Sequence, residues 1–431
     1  MDLLLKNVIA VENGEETLTD ISITDGVITE MGQGIEAQTK YVIDGRGELV
    51  AFTGLMDMHV HLRDPGFTHK EDIITGTTAA AAGGFTAVAC MPNTNPPIDN
   101  AETIEYIIEK AKKTGVDVYP IGCITQSMKG ECLADFGQMK SAGAIAISDD
   151  GRPVENAELM RIALELSKDS GLTVISHCED LNIIGKGIVN KGKISKILGV
   201  AGMDRASEDY ITAREIALAN SCDAHIHIAH ASTKGAVDFI RDSKKNGINV
   251  TAETCPHYFY FTEEKLLSRD ADYRMSPPLR TEQDRKAVLE AVLDGTIDCI
   301  VTDHAPHSQE EKADFEKAPN GVVGLETSFG ACMTKLYHEQ GCSLSFIKKI
   351  MSDKPREILG LKKPSLKVGS VADITLADIN MQWTVDKEEL HSKSKNTVFK
   401  GETFKGKVLY TISKGKIIFI DSEATYDEFY E

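Results

Sequence analysis

Hydrophobic and polar stretches alternate regularly through the middle of the chain. Short apolar runs are each followed by a longer run with apolar residues at helical spacing, such as NAETIEYIIEKAKKTG. Several helical runs begin with Asn, Ser or Thr and end at Gly, as helix caps require. Eight short runs read as strands: GLMDMHVHL, TAVACMP, DVYPIGCI, AIAIS, TVISHC, HIHIAHA, NVTAETC and DCIVTDH.

This alternation predicts an α/β fold, specifically a (β/α)8 TIM barrel, because eight strand–helix units follow one another over about 300 residues. A doubly wound open sheet is the competing topology. That fold would be expected to carry a Gly-rich phosphate-binding turn after an early strand, and the sequence has none there.

The two ends of the chain show a different pattern of short β-type runs, and Asp25-Gly26 and Asp44-Gly45 mark turns in the first of them. Neither end is long enough to form a stable sandwich alone, and two separate β appendages would leave open sheet edges. We therefore predict one small β-sandwich domain composed of residues 1–50 and 361–431. Residues 51–360 form the predicted barrel.

The charge balance narrows the classes of partner. Acidic residues outnumber basic ones, 66 to 47, for a formal net charge of −19. This charge disfavours nucleic acid and anionic membranes, although local basic residues could bind a small anionic substrate. The chain shows no N-terminal signal pattern and no apolar run near the roughly 18–20 residues that cross a bilayer. Its nine cysteines are scattered singly, as reduced thiols are. These features predict a soluble cytoplasmic protein.

Polar groups gather at the ends of the predicted strands, where the active site of a (β/α)8 barrel lies. They are His59, His61, Arg63, Asn93, Asp149, Asp150, His177, His230, His257, Asp303, His304 and His307. Any one of them could be a structural residue, and His225 and His227, earlier in the sixth strand, are expected to lie deeper or face outward. Because six strands supply metal- or proton-handling groups to one rim, the pattern favours a metal site.

Four histidines and two carboxylates suit an ion that binds nitrogen and oxygen, and zinc fits best. One zinc rarely needs so many ligands, whereas two ions ~3.5–4 Å apart would use them with one shared carboxylate. Manganese and cobalt stay open as alternatives. Such a centre lowers the pKa of bound water to about 7. It therefore predicts hydrolytic attack on a carbonyl, with a carboxylate carrying the proton to a leaving nitrogen.

Eight motifs carry a resemblance to a known family: DMHVHLRDPG, MPNTNP, SDDGRPV, SHCED, AHAS, AETCPHY, PPLR and TDHAPH. The chain resembles the amidohydrolase superfamily, and within it the class I dihydroorotases, over essentially its whole length. The resemblance implies reversible cyclisation of N-carbamoyl-L-aspartate to L-dihydroorotate in de novo pyrimidine (UMP) biosynthesis. Hydantoinases and allantoinases are also similar, but usually bridge their metals with a carboxylated lysine after the fourth strand, where AIAISDD has none.

The resemblance also implies roles for individual residues. The implied ligands of two Zn²⁺ ions are His59, His61 and Asp303 for one, His177 and His230 for the other, and Asp150 as the bridge. Asp149 is expected to point elsewhere. Asp303 would also act as general acid and base. A non-catalytic scaffold is a further alternative, although such proteins typically lose ligands and this chain keeps all six.

The substrate side of the implied site carries two departures from the family pattern. Arg63 can bind a carboxylate through two parallel hydrogen bonds. The other residues implied on this side are His61, Asn93, Ser276, His307, Asn320 and Gly321. Ser276 stands where the family often has Asn, and Asn320 where it often has Phe. Ser276 leaves room for a different cyclic amide.

The resemblance and the loop that follows His307 suggest two further expectations. The polar stretch SQEEKADFEKAPNG is either a mobile lid or a long surface loop. The implied assembly is a homo-oligomer, expected as a dimer. Some relatives associate with aspartate transcarbamoylase, which makes that enzyme a candidate partner.

Overall fold

The computed structural model describes residues 2–36, 39, 41–425 and 427–429. Its strands are β1 (Leu3–Glu12), β2 (Glu15–Thr24), β3 (Val27–Gly32), β4 (Tyr41–Asp44), β5 (Leu49–Thr53), β6 (Leu55–Val60), β7 (Phe85–Cys90), β8 (Asp117–Gly122), β9 (Ala146–Ile147), β10 (Thr173–Ser176), β11 (Val189–Asn190), β12 (Gly202–Met203), β13 (Ile226–Ile228), β14 (Val250–Thr254), β15 (Cys299–Ile300), β16 (Ile374–Thr384), β17 (Thr403–Ser413), β18 (Lys416–Ile420) and β19 (Asp427–Phe429). Its α-helices are α1 (Ile73–Ala82), α2 (Ala101–Ala111), α3 (Phe136–Ala142), α4 (Ala157–Ser170), α5 (Leu181–Ile184), α6 (Lys193–Leu198), α7 (Ala206–Ser221), α8 (Lys234–Lys245), α9 (Pro256–Tyr260), α10 (Glu282–Leu293), α11 (Leu325–Cys332), α12 (Leu344–Lys348) and α13 (Lys354–Ile358).

Eight parallel strands form the predicted barrel, in the order β6-β7-β8-β9-β10-β13-β14-β15. Every residue of β6 and β7 is buried, as parallel strands covered on both faces require. The first and last strands approach each other just beyond β15, where the His61 N–H donates to the His304 carbonyl at 2.8 Å. The Asp57 carboxylate accepts from Thr302 N–H at 3.0 Å across the same seam. The (β/α)8 prediction is confirmed.

Several helix starts follow the predicted capping chemistry. Asn100 and Asn156 cap α2 and α4, and Thr233 caps α8, each by accepting a backbone N–H. Helix α7 differs, because it begins after Arg205, whose side chain makes no cap. None of the described helices combines the length and the apolar composition needed to span a bilayer.

Both ends of the chain enter one nine-stranded sheet, in the order β18-β17-β16-β5-β1-β2-β3, with β4 pairing with β1 and β19. Strand β5 lies between the two ends of the chain, because it pairs with β1 on one side and with β16 on the other. Side chains from seven strands share one core, among them Leu5, Ile21, Ile28, Ile43, Ala51, Leu376 and Tyr410. The composite terminal domain is therefore present. Strand β5 continues to Thr53, three residues past the predicted boundary at 50, and the exact boundaries stay a prediction.

The terminal domain packs directly on the barrel and sends one segment to its mouth. Phe52 meets Phe329 with ring centroids 5.8 Å apart, and Thr411 donates to the Ala81 carbonyl at 2.6 Å. Between β16 and β17 the chain returns to the barrel, where Asn396 accepts from His307 N–H at 3.2 Å and donates to the Gly321 carbonyl at 3.0 Å. This segment helps to position the wall of the functional site.

Candidate active site

A cleft of about 370 Å³ opens at the carboxyl ends of the barrel strands. The residues that line it are His61, Arg63, Asn93, Asp150, Gly151, His177, Glu179, Leu181, Ile184, Gly187, Met203, His230, Ser276, Asp303, Ala305, His307, Asn320 and Gly321. The cleft therefore brings together every residue implied for the site except His59, which is fully buried and contacts the Asp150 and Asp303 carboxylates of the cleft.

One group of ligand atoms forms around the first strand. His59 Nε2 lies 3.4 Å from Asp150 Oδ1, and His61 Nε2 lies 3.5 Å from Asp150 Oδ2. Asp303 Oδ1 completes the group at 3.0 Å from His61 Nε2 and 3.6 Å from His59 Nε2. Burial acts to raise the pKa of Asp303, but the neighbouring imidazoles bring it below its usual value. Asp303 is therefore ionised at neutral pH.

A second group shares the same aspartate. Asp150 Oδ1 lies 3.2 Å from His177 Nδ1 and 3.7 Å from His230 Nε2. These two ring nitrogens are 2.8 Å apart. Asp150 thus stands between the two groups, with one or both of its oxygens facing the ligand atoms of each.

The orientation of the rings fits a metal centre. Three of the histidines hold an acceptor on the nitrogen that faces away from Asp150: Glu253 at 2.5 Å for His59, Asn93 at 2.8 Å for His61 and Glu179 at 2.8 Å for His177. Each outer nitrogen has an acceptor for its proton, which frees the inner nitrogen to bind an ion, as in metal-bound histidines. His59 Nε2 is buried and has no described hydrogen-bond partner. Imidazole and carboxylate donors in this mixture suit a divalent transition ion.

Glu253 lies beneath the first group of ligand atoms and supports it. This residue was not identified from the sequence. This carboxylate is fully buried and accepts from His59 Nδ1, from His227 Nε2 at 3.1 Å and from the His230 backbone N–H at 3.4 Å. Burial acts to raise the pKa of Glu253, but His59 and His227 bring it down to about 2. A glutamate inside the apolar run of β14, two residues after Thr251, was the available signal.

Three other strand-end residues lie outside the two groups. Asp149 accepts from the backbone N–H groups of Ile124 and Thr125 at 2.8 and 3.1 Å, so it supports the neighbouring loop. The buried ring of His257 packs against Tyr258, and burial lowers its pKa to about 3. His304 lies 3.4 Å from Glu71.

The substrate side of the cleft presents a cation and a neutral imidazole. Arg63 Nε donates to the Pro306 carbonyl at 3.2 Å, and its nearest acidic neighbour in sequence, Asp64, pairs instead with Lys110 at 2.6 Å. Burial and the adjacent Arg63 and Lys70 hold the pKa of His307 far below its usual value. Because Lys70 donates to Nδ1 at 3.3 Å, the neutral ring donates from Nε2 to the Asn320 carbonyl at 3.0 Å.

The loop after His307 is held against the cleft. Lys312 donates to the Pro319 and Arg274 carbonyls at 3.0 and 3.2 Å, and Arg274 donates to Asn320 Oδ1 at 3.1 Å. Gly321 has a φ of +141°, and a Cβ there would lie 2.9 Å from Ala305 and His307. The loop therefore forms a wall of the site in this conformation.

Three residues of the site adopt left-handed backbone conformations. The φ angles are +59° for Arg63, +32° for His230 and +47° for Asp303. Such conformations cost about 1–3 kcal/mol each for residues other than glycine, and they cluster at functional sites. The three strained residues lie just after strands β6, β13 and β15, where the chain enters the cleft.

Comparison with known proteins agrees with this geometry. A family model described as dihydro-orotase-like matches residues 48–236. A dihydroorotase from Geobacter sp. (strain M21) is 48% identical over 423 residues, which cover 97% of this chain and 99% of the relative. A dihydroorotase from Geobacter metallireducens is 49% identical over 97% of this chain and 100% of its own.

Solved structures of cyclic-amide hydrolases share the fold. An L-hydantoinase (dihydropyrimidinase) from Arthrobacter aurescens superposes with a TM-score of 0.86 at 23% identity and covers 99% of this chain and 98% of its own. A dihydropyrimidinase from Brevibacillus agri NCHU1002 superposes with a TM-score of 0.86 at 25% sequence identity. The match covers 99% of this chain and 96% of the dihydropyrimidinase. These structures share the fold, and the near full-length relatives show that the chain belongs to the dihydroorotase family.

Proposed function

We propose that this protein is a dihydroorotase that interconverts N-carbamoyl-L-aspartate and L-dihydroorotate. The observation that carries the proposal is Asp150, which stands between two histidine groups in a cleft that also contains Arg63. This arrangement suits hydrolysis of a cyclic amide that carries a carboxylate. The relatives named dihydroorotase, which match 97% of the chain, support the same activity.

We propose that the two groups hold two Zn²⁺ ions, with Mn²⁺ or Co²⁺ as alternatives. His59, His61 and Asp303 would hold one ion, His177 and His230 the other, and Asp150 both. A zinc ion, when bound, polarises a carbonyl oxygen and lowers the pKa of water to about 7. The inward-facing histidine nitrogens, the acceptors behind them and the shared carboxylate support this assignment.

Asp303 is the proposed proton carrier. It is ionised, so it can accept the proton of the attacking water as that oxygen adds to the ring carbonyl. It then delivers this proton to the ring nitrogen as the C–N bond breaks. In the direction of cyclisation, the same carboxylate takes the proton from the attacking ureido nitrogen and returns it to the departing water.

Arg63, Asn93 and His307 are proposed to orient the substrate. A guanidinium binds a carboxylate through charge-assisted hydrogen bonds, and Arg63 has no carboxylate partner within ion-pair distance among the described residues. His61, Ser276, Asn320 and Gly321 line the same cleft and complete the proposed contact set.

The test is a side-by-side assay of the metal-replete protein with dihydroorotate, hydantoin and allantoin. We expect turnover of dihydroorotate to exceed the other two. No turnover of dihydroorotate would overturn the proposal. Preferential hydrolysis of hydantoin or allantoin would instead favour a related cyclic-amide hydrolase, which Ser276 leaves open. Fewer than one bound metal per chain after zinc supply would favour a scaffold.

We also propose a cytoplasmic homodimer that is able to associate with aspartate transcarbamoylase. The family resemblance supports this assembly, and the nine cysteines, all of them unpaired, suit a reducing compartment. Sedimentation of the purified protein measures the dimer, and co-sedimentation with the transcarbamoylase measures the association. A monomer at micromolar concentration would contradict the proposed dimer. Two proteins that sediment as separate boundaries would contradict the proposed association with the transcarbamoylase.

A further inference from the structure

A glutamate on the wall of the cleft connects the metal side to the substrate side. Glu179 is buried, and one of its oxygens, Oε2, lies 2.8 Å from His177 Nε2 and 2.7 Å from Ser276 Oγ. Glu179 and Ser276 both line the cleft. Ser276 is also the position where this chain departs from the family pattern, so its hydrogen bonding bears directly on what the cleft accepts.

The direction of the bond between Ser276 and Glu179 follows from elementary chemistry. An ionised carboxylate only accepts hydrogen bonds, and a serine hydroxyl has a single hydrogen to donate. The Ser276 hydrogen is therefore committed to Glu179. The hydroxyl still offers its two lone pairs to the cleft, so Ser276 can accept from a ligand and cannot donate to it.

The two sides of the cleft consequently differ in hydrogen-bonding character. Arg63 offers donors, which suit a carboxylate. Ser276, oriented by Glu179, offers an acceptor, which suits an N–H group. Dihydroorotate carries both a carboxylate and ring N–H groups, whereas an analogue with oxygen in place of an N–H would bring a lone pair against a lone pair.

We infer that Glu179 is a positioning residue that makes Ser276 an obligate hydrogen-bond acceptor, so that the cleft selects ligands that present a ring N–H at this wall. This inference rests on the proposed function and deepens it, because it names the ring feature that the enzyme recognises besides the carboxylate. It also gives Ser276 a defined role at a position where a longer amide side chain would offer both donor and acceptor.

The test compares dihydroorotate with its two mono-oxa analogues, in each of which oxygen replaces one ring N–H. Inhibition constants of the analogues are measured against dihydroorotate turnover, and metal content is measured in every sample. In the wild-type protein we expect one analogue to bind about 10- to 100-fold more weakly than dihydroorotate, because it leaves a buried acceptor facing an acceptor.

Three variants separate positioning from a general structural effect. In Ser276→Ala, and in Glu179→Ala, where the hydroxyl is free to rotate, this discrimination should fall to about 3-fold or less. In Glu179→Gln the amide oxygen can still accept from both His177 and Ser276, so discrimination should be retained. Glu155→Ala, an exposed position on the same side of the barrel, is the matched control and should behave like the wild type.

The outcomes distinguish this inference from the proposed function. Equal discrimination in the wild type, Ser276→Ala and Glu179→Ala would overturn the inference and leave the dihydroorotase assignment intact. Loss of discrimination in Glu179→Gln as well would also overturn it, because the hydrogen-bond direction would then not be the cause. A wild-type protein that neither binds nor turns over dihydroorotate would overturn the proposed function and the inference with it.

Discussion

Asp303 shows how strongly one residue depends on its surroundings. It follows the last barrel strand in a left-handed conformation, and its carboxylate lies 3.0 Å from a histidine that is 242 residues away in the chain. Burial alone would favour the protonated acid, whereas the two nearby imidazoles keep the group ionised. The left-handed conformation of Asp303 therefore brings an ionised carboxylate next to the rings of His59 and His61.

Replacing Asp303 by Asn should remove most of the turnover and leave substrate binding largely intact. The amide keeps the shape but cannot carry a proton, and proton transfer by a positioned group contributes about 100- to 10,000-fold. The measurements are kcat and the calorimetric dissociation constant of dihydroorotate. Asp169→Asn, at an exposed position on α4, is the matched control. Wild-type turnover in Asp303→Asn would contradict the assigned role.

Replacing Arg63 by Ala should raise KM for dihydroorotate by about 10- to 100-fold and change kcat less. Hydrogen bonds to charged groups contribute about 1.5–3 kcal/mol, and the variant loses those to the substrate carboxylate. Steady-state kinetics separate the two constants. Arg63→Lys keeps the charge without the planar geometry. Its KM should fall between those of the wild type and Arg63→Ala. An unchanged KM in Arg63→Ala would place the carboxylate elsewhere.

At the scale of elements, strand β14 carries no proposed metal ligand, yet it supports the first group through Glu253. The meeting of these polar residues at one rim could be predicted because strand ends are visible in the sequence, whereas the family resemblance implied which six of them are ligands. A glutamate within the buried strand β14 is a visible signal, but its contact could not be predicted, because its partner His59 lies 194 residues away. Strands β9 and β15 are also only two residues long, shorter than predicted, because the chain leaves the ladder to deliver Asp150 and Asp303.

Replacing Glu253 by Gln should lower zinc affinity by about 10- to 100-fold, the usual effect of removing a group that orients a metal-binding histidine. The amide weakens the hold on the His59 Nδ1 proton and with it the orientation of Nε2. Competition with a chromophoric chelator measures the affinity. Glu290→Gln, exposed on α10, serves as the control. Equal zinc affinity in the wild type and Glu253→Gln would show that Glu253 does not orient His59 for metal binding.

The burial of Lys312, in the loop after His307, predicts how the free energy of unfolding depends on pH. Burial lowers the pKa of Lys312 from 10.5 to about 7, while the unfolded chain keeps the ordinary value. Between these two pH values the unfolded state binds more protons, so Lys312 makes the free energy of unfolding rise with pH. Below about pH 7 both states are protonated and this contribution is lost.

Denaturant unfolding at pH 7 and pH 10 measures the Lys312 contribution. Lys312→Met should show a smaller rise in unfolding free energy between these two pH values than the wild type. Lys317→Met, whose side chain is 86% exposed on the same loop, should keep the wild-type rise. Parallel pH profiles for the wild type and Lys312→Met would show that Lys312 does not titrate in this window.

At the scale of the whole molecule, the union of the two chain ends could be predicted because neither end buries a core alone. The strand order could not, since β5 sits between β1 and β16 and only the packing of the complete domain selects that arrangement. Strand β5 runs across the predicted boundary at residue 50, because its pairing with β1 and β16 holds it in the terminal sheet as far as Thr53.

Removing metal with a chelator should destabilise the protein, and added zinc should restore it. A ligand that binds only the folded state stabilises by about 2.7 kcal/mol at one hundred times its dissociation constant. Thermal unfolding with and without zinc measures the effect. Asp150→Ala should lose most of the response, whereas His69→Gln, at an exposed histidine, should keep it. A zinc response of wild-type size in Asp150→Ala would exclude Asp150 as a shared ligand.

The seam of the barrel has a consequence for biosynthesis. His61 and Asp303 meet across the closure between the first and last strands, so a nascent chain presents the histidine long before its partner has been translated. A polypeptide that stalls before residue 303 lacks the carboxylate that we propose as the proton carrier. We therefore expect activity only after translation has passed the final barrel strand, and we expect shorter fragments to be inactive.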